Sequence, residues 1–420
     1  MAALGAGPAV ASAGSAPVWN RAARVAGPES EPIVGPQLAF ANDGTAAAAF
    51  AVQNEQTPEE STAYTALGAG SGRWQNGRVR GAQLVLGVTF GGSGSPWLLT
   101  GTAPSTRACC ATVSIRHGSG GSARTLVSGL TGITDGQLVA LSGGKLMAAI
   151  ATQRGVWIGQ ASRAGAAPSG AHRLRFDGAP AGLAATALDG GGGAVAWSDA
   201  GSAGQTEAQR ILYATGSAGA APSRVRVAVS LPSGYGIDGL SLGSAKSGAT
   251  VAWVESWYDS HGGFHSVVVI RDLRVGGSRT VSSAGVLASD MSFAADAAGD
   301  QVLAWDACSP TGTCSVQAAV RRAGGRFGAP ETLGPSDPIE APAAAISRYG
   351  KALVAWIRRG DVLAASRRLA ARLFGAARTV SAAGDDYDVA VGFAPRGSAL
   401  SAWSEGTVST SLDAAWSASP

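Results

Sequence analysis

Eleven residues, Glu255-Ser-Trp-Tyr-Asp-Ser-His-Gly-Gly-Phe-His265, hold two of the four histidines in the chain together with Glu255, Trp257, Tyr258 and Asp259. Imidazole and carboxylate together can ligate zinc or another transition metal. Trp257 and Tyr258 can instead stack on a sugar or a partner protein. A third reading is a solvated loop with no special role. The Gly262-Gly263 pair makes a helical arrangement of His261 and His265 unfavourable, so any metal would need loop geometry, and no metal site is expected.

A second group of acids is recognised by its spacing. Asp135, Asp238, Asp290 and Asp388 each lie 15 residues before a recurring apolar marker residue, and Glu340 lies 16 before another. One reading is a ring of carboxylates that binds a cation or a polyhydroxylated ligand. The other is that each acid accepts backbone N–H bonds and fixes the loop entering its unit. Recurrence favours the second, since a structural device repeats and an active site usually does not. Acids also follow the marker closely, as Asp199, Glu255, Asp306 and Glu405.

The markers themselves organise the chain. They fall at Phe50, Ile150, Trp197, Trp253, Trp305, Trp356 and Trp403, with a degenerate copy (PWLLTG) near Thr100, at intervals of 47 to 56 residues. Eight copies of a unit of about 50 residues is the signature of a β-propeller. In the unit carrying Trp356, IEAPAAAIS, ALVAWI, VLAASRR and FGAARTVS read as four short strands separated by turn residues. The second is apolar at every position, as a strand covered on both faces must be. The first is built of small residues, as in AGLAATA (181–187), which suits the crowding near a propeller axis. The third and fourth carry arginines such as Arg321, Arg322, Arg367 and Arg368 and are expected to face water.

The fold expected is therefore all-β: a single propeller of about eight four-stranded blades, with seven blades or a string of β-sandwiches as alternatives. Blades are placed at approximately 36–81, 82–129, 130–178, 179–234, 235–285, 286–338, 339–384 and 385–417. The last unit lacks a fourth strand, and Val18–Val25 matches Phe374–Val380 in its aromatic, Ala, Arg and Val order. Residues 16–27 are expected to complete the eighth blade. That leaves residues 1–15 as a signal-like or flexible segment; their small-residue AVASA stretch suits export, although no basic residue precedes Arg21.

Composition narrows the partners. A formal net charge of +4 with 14% charged residues does not point to nucleic acid, and no apolar run is long enough to span a bilayer. Only three of the 32 basic residues are lysine. Cys308 and Cys314 bracket the turn SPTGT and suit a local disulfide, whereas the neighbours Cys109 and Cys110 read as two separate thiols. No nucleophile elbow, zinc-protease motif, phosphate-binding loop or dinucleotide fingerprint occurs, and no cofactor is expected.

The repeated turn-plus-strand, seen in ANDGTAAAAF, LDGGGGAVAW, SRYGKALVAW and APRGSALSAW, resembles that of exported bacterial β-propellers of the sialidase-like type. The resemblance implies a fold and no catalytic residue. The SxDxGxxW boxes of sialidases are missing, and the only arginines near the first strands, Arg348 and Arg396, lie at their far ends. The sequence thus leads to a secreted or cell-surface, monomeric, non-catalytic module for a carbohydrate, peptide or surface partner. A glycoside hydrolase or lyase using carboxylates at the channel mouth is the alternative, its catalytic residues unidentified.

Overall fold

The computed structural model describes residues 18–54, 57, 60–69, 73–91, 94–102, 110–161, 165–168, 170–199, 209–245, 248–337, 340–381, 384–406 and 410–417. The signal-like segment 1–15 and Cys109 lie outside them. Eight four-stranded antiparallel sheets form a ring of blades, and first strands of successive blades touch all the way round. The described strands of blades 1 to 7 span 33–78, 84–130, 133–173, 180–230, 235–280, 287–335 and 343–379. Blade 8 combines Asp386–Phe393, Ala399–Glu405 and Thr410–Trp416 with the N-terminal strand Ala23–Glu29. No helix among the described residues is long and apolar enough to cross a membrane.

The second strands explain the ring. In blade 7, Ala352, Val354 and Trp356 pack with Val302, Ala304 and Val316 of blade 6. The alternate residues Leu353, Ala355 and Ile357 pack with Ala399 and Trp403 of blade 8. Side chains alternate across a strand, so one apolar run fills two different interfaces. The core is accordingly eight separate clusters, each straddling one seam between neighbouring blades. Each marker points into the preceding seam: Trp197 toward blade 3, Trp253 toward blade 4, Trp305 toward blade 5. Blade 2 has no aromatic marker. Thr100 is buried there, and Leu98, Val88 and Phe90 occupy the seam to blade 1.

Small residues in the first strands reflect the taper. A Cβ at Gly392 would lie 2.4 Å from the Phe40 ring of blade 1, and one at Gly136 would lie 2.7 Å from Leu86 of blade 2. The first strand also carries a bulge in seven of the eight blades, near or opposite the marker. Bulges sharpen twist and demand an unusual backbone conformation. Gly35, Asp290 and Asp388 occupy equivalent bulge positions with φ of +60°, +46° and +51°. Aspartate is among the few side chains that tolerate this region, which supplies one reason for the acidic spacing.

Ring closure follows the expected route with a shifted strand. Ala23 pairs with Ala414 and Glu29 with Thr410, while Trp19 makes only an isolated bridge to Ser417. Trp19 packs at the seam between blades 7 and 8, as Phe374 does one seam earlier. The shared sequence pattern therefore marks the approach to the fourth strand as well as part of the strand. A second departure is Arg321, which is only 7% exposed rather than facing water and is paired with Asp272.

The marker tryptophans are sealed; Trp253 is 0% exposed. Replacing it with alanine is expected to cost roughly 3–5 kcal/mol through the cavity left at the seam. Denaturant unfolding with an unchanged midpoint would contradict its packing role.

Candidate functional site

Register decides which side chains share an end of the ring. Tyr235 lies opposite Trp257, Leu287 opposite Cys308, and Asp386 opposite Glu405. The starts of the first strands and the hairpins joining second to third strands therefore lie at one end, the mouth. In blade 5 the second and third strands (Gly248–Tyr258 and Phe264–Asp272) are long and carry their hairpin outward as an arm. Blade 6 has a shorter hairpin with the same turn. Asp259 and Ser309 each open a five-residue turn, donating N–H to the carbonyls of Gly263 and Thr313 at 2.9 Å. Gly262 and Gly312 take the left-handed position at φ +80° and +84°. The blade 6 hairpin is cross-linked at its base by the Cys308–Cys314 disulfide.

The arm of blade 5 is ordered by its own side chains. Asp259 Oδ1 accepts the backbone N–H groups of His261 and Gly263, and Oδ2 meets His265 Nε2 at 2.8 Å. His265, then these backbone donors, hold the Asp259 carboxyl down at about 2. The His265 ring stacks on Trp257 at 5.3 Å, and Trp257 stacks on Tyr235 at 5.4 Å, each with planes 16° apart. His265, Asp259 and Trp257 thus brace one face of the arm. His261 contacts Ser260, and no described group of three or more His, Cys, Asp or Glu side chains is arranged to hold a metal ion. Glu255 accepts a hydrogen bond from Trp253 Nε1 at 3.3 Å and belongs to the seam beneath.

Tyr258 and Phe264 are the parts of the arm left for a ligand. They form a tilted pair at 5.2 Å and are 67% and 44% exposed. Phe264 walls a cleft of about 350 Å³ between blades 5 and 6, together with Val254, Leu287, Cys308, Asp238 and Asp290. Asp238 Oδ2 accepts the Ser256 hydroxyl at 2.9 Å. The structure so brings together Asp238, Asp290 and the arm, three candidates that the sequence places in different repeats. Phe264 is the residue sequence reasoning passed over; its position opposite Tyr258 in a two-residue alternation was the available signal.

The remaining candidate acids tie blades to one another. Asp135 Oδ2 accepts Leu183 N–H of the next blade at 3.3 Å, Glu340 Oε2 accepts Asp388 N–H at 3.4 Å, and Asp388 Oδ2 accepts Gly35 N–H at 3.2 Å. Ser292 plays this part between blades 6 and 7, accepting Ala344 N–H at 3.1 Å. The acids do accept backbone N–H bonds, but these donors belong to the following blade; Asp135 also accepts one from its own blade, from Gly136 at 2.6 Å. Asp135 sits two seams from the cleft and has no part in it.

From Asp290 the mouth continues as an acidic arc over blades 6 to 8. Asp306 is fully buried, with Oδ1 accepting the Ser336 hydroxyl and Oδ2 lacking a partner. Burial first, and then the Asp290 and Asp337 carboxylates, push Asp306 up to about 7. Asp386 is likewise pushed to about 7 by burial and by Glu405 and Asp385. Glu340 is raised by burial, Asp388 and Asp290. Chemically this end offers acceptors and negative potential: it suits hydroxyl donors or cations and repels anions.

No protein-family model matches the sequence, and no curated protein sequence is similar to it. Solved structures show the likeness. The Dos1 propeller is matched over 94% of each chain at 11% identity and a TM-score of 0.53. An α-L-arabinanase from Penicillium chrysogenum is matched over 94% of this chain and 98% of the other, at 11% identity and a TM-score of 0.45. A Hadza microbial sialidase is matched over 72% of each chain at 12% identity and a TM-score of 0.40. At such identities the shared property is the propeller fold, and function has to be argued from the site.

Acidity gives a test of the arc. An unfolded aspartate titrates near 3.9, so between about pH 4 and 7 the folded protein holds protons on Asp306 and Asp386 that the unfolded chain has lost. Their contribution to stability is present at low pH and is lost as pH rises toward 7. Asp306→Asn should melt higher than the parent at pH 8, with the gap closing toward pH 5. A gap that is constant or reversed across that range would contradict the assignment.

Proposed function

We propose that the chain is an exported propeller that binds a carbohydrate of neutral charge, without cleaving it, in the cleft between blades 5 and 6. The observation that carries this reading is one largely apolar cleft that joins Phe264 to Asp238 and Asp290, with exposed Tyr258 against Phe264 beside it. Sugar rings present C–H faces that stack on aromatic side chains and hydroxyls that donate to carboxylates, and the cleft supplies both partners. Few polar groups in an apolar hollow is the usual composition of a small-molecule site. No arginine lines the cleft, and the acidic arc beside it disfavours sialic or uronic acids. Export is supported by the Cys308–Cys314 bridge, a bond that persists in oxidising compartments.

The hydrolase reading has one observation in its favour: protonated Asp306 beside Asp290 resembles an acid paired with a carboxylate. Asp306 is 0% exposed and accepts the Ser336 hydroxyl of its own blade, so it does not reach a glycosidic oxygen in this geometry. Binding is therefore the better supported use of these groups.

A glycan array followed by calorimetry tests the proposal. Binding to one or more neutral oligosaccharides is expected, with no release of reducing ends. The double variant Tyr258→Ala/Phe264→Ala should lose affinity about tenfold or more, equivalent to about 1.4 kcal/mol, while melting as the parent does. Binding unaffected by that variant, or glycan turnover, would overturn it.

A further inference from the structure

The opposite end of the ring carries the opposite charge. There the first–second and third–fourth turns meet, as the pairings Val251 with Arg271 and Gln301 with Arg321 establish. Between blades 5 and 6 these turns enclose a cavity of about 320 Å³ lined by Arg279, Arg321, Arg326 and Asp272. Its remaining rim includes the glycine pairs Gly276-Gly277 and Gly324-Gly325. Gly276, Gly277 and Gly324 have φ of +77°, +76° and +73°, and a Cβ at Gly277 or Gly324 would meet nothing within 4 Å, so bare backbone borders the space.

The three arginines are not equivalent. The Arg321 guanidinium is buried and lies over the Phe327 ring, 5.2 Å from its centroid. Its Nη1 and Nη2 donate to Asp272 at 3.2 and 2.7 Å, and Nη2 also donates to Thr250 Oγ1. Asp272 is thereby committed. Arg279 and Arg326 are exposed, and neither lies within ion-pair distance of a described carboxylate. The other nearby acids are spoken for as well: Asp300 accepts Ala323 N–H at 2.8 Å, and Asp296 accepts Asp300 N–H at 2.9 Å. Arg271, Arg274 and Arg322 on the same turns leave the surroundings net positive. Two exposed guanidinium forks beside unhindered backbone match an oxyanion that can accept several charge-assisted hydrogen bonds.

We propose that this cavity is a second binding site, seating a phosphate or sulfate ester group between blades 5 and 6 at the end opposite the acidic cleft. The turns of blade 7 continue the positive surface with Arg348, Arg368 and Arg372, where a larger ligand carrying the group would extend.

The test uses the whole protein at fixed ionic strength, with chloride as control. Inorganic phosphate and sulfate are titrated while melting is followed, and heparin, a polysulfated polymer, is titrated by calorimetry. Phosphate or sulfate should raise the melting temperature, and heparin should bind more weakly as salt is added. Arg279→Ala/Arg326→Ala, changed at two exposed positions, should weaken both responses about tenfold or more. A response to the small ions alone assigns a small phosphorylated or sulfated ligand; a response to heparin alone assigns a polymer. No response to any of the three, or responses that the double variant leaves intact, would overturn the site.

Discussion

Every second strand in this molecule is covered on both faces by other blades, and no blade has a core of its own. An isolated blade would expose one wedge of apolar surface on each side. Burial at the seams is the dominant favourable term, and it exists only when neighbours are in place. The ring must therefore close, and the closing piece is the N-terminal strand, whose Val25 and Ala26 sit in the same cluster as Phe50, Leu400 and Leu412.

Because the strands are consumed by packing, chemistry is left to the two ends. At the mouth, acids serve structure first. Asp135, Glu340 and Asp388 each bond the backbone of the next blade, and Asp290 and Asp388 accommodate the bulge. Crowding carboxylates there costs stability at neutral pH, which burial and mutual repulsion register as raised proton affinity in Asp306, Asp386 and Glu340. The same crowding gives the cleft of blades 5 and 6 its negative flank. At the far end the arginine-bearing turns have few carboxylates to pair with, so the two ends differ in sign although the net charge is only +4.

The fold was legible because a seam imposes a pattern that one repeat can display alone. The run Ala352–Ile357 shows both buried faces, and eight markers recur at nearly one spacing. The partners of the acids were not legible, because each bond crosses a seam to another repeat: Asp135 and Leu183 are 48 residues apart, Asp388 and Gly35 are 353 apart. The cleft was half legible. Its acids and its arm stand out by spacing and density, but which face of the arm remains exposed depends on Tyr235, 22 residues before Trp257, stacking on the other. The pattern shared with Phe374–Val380 points to the N-terminal strand a few residues early, since Trp19 copies Phe374 in packing and makes only a single bridge to the sheet. Arginine usually faces water, but Asp272, 49 residues away, draws Arg321 inward.

Closure is the claim on which the rest depends, and it is tested most directly by the chain that begins at residue 31. Without Ala23–Glu29, the strand Thr410–Trp416 becomes an open edge, and the seam between blades 8 and 1 loses Val25 and Ala26. The account predicts that this protein unfolds at a lower temperature than the full chain and associates through the exposed edge, as read by calorimetry and light scattering. A truncated protein that stays monomeric and melts as the full chain does would contradict it.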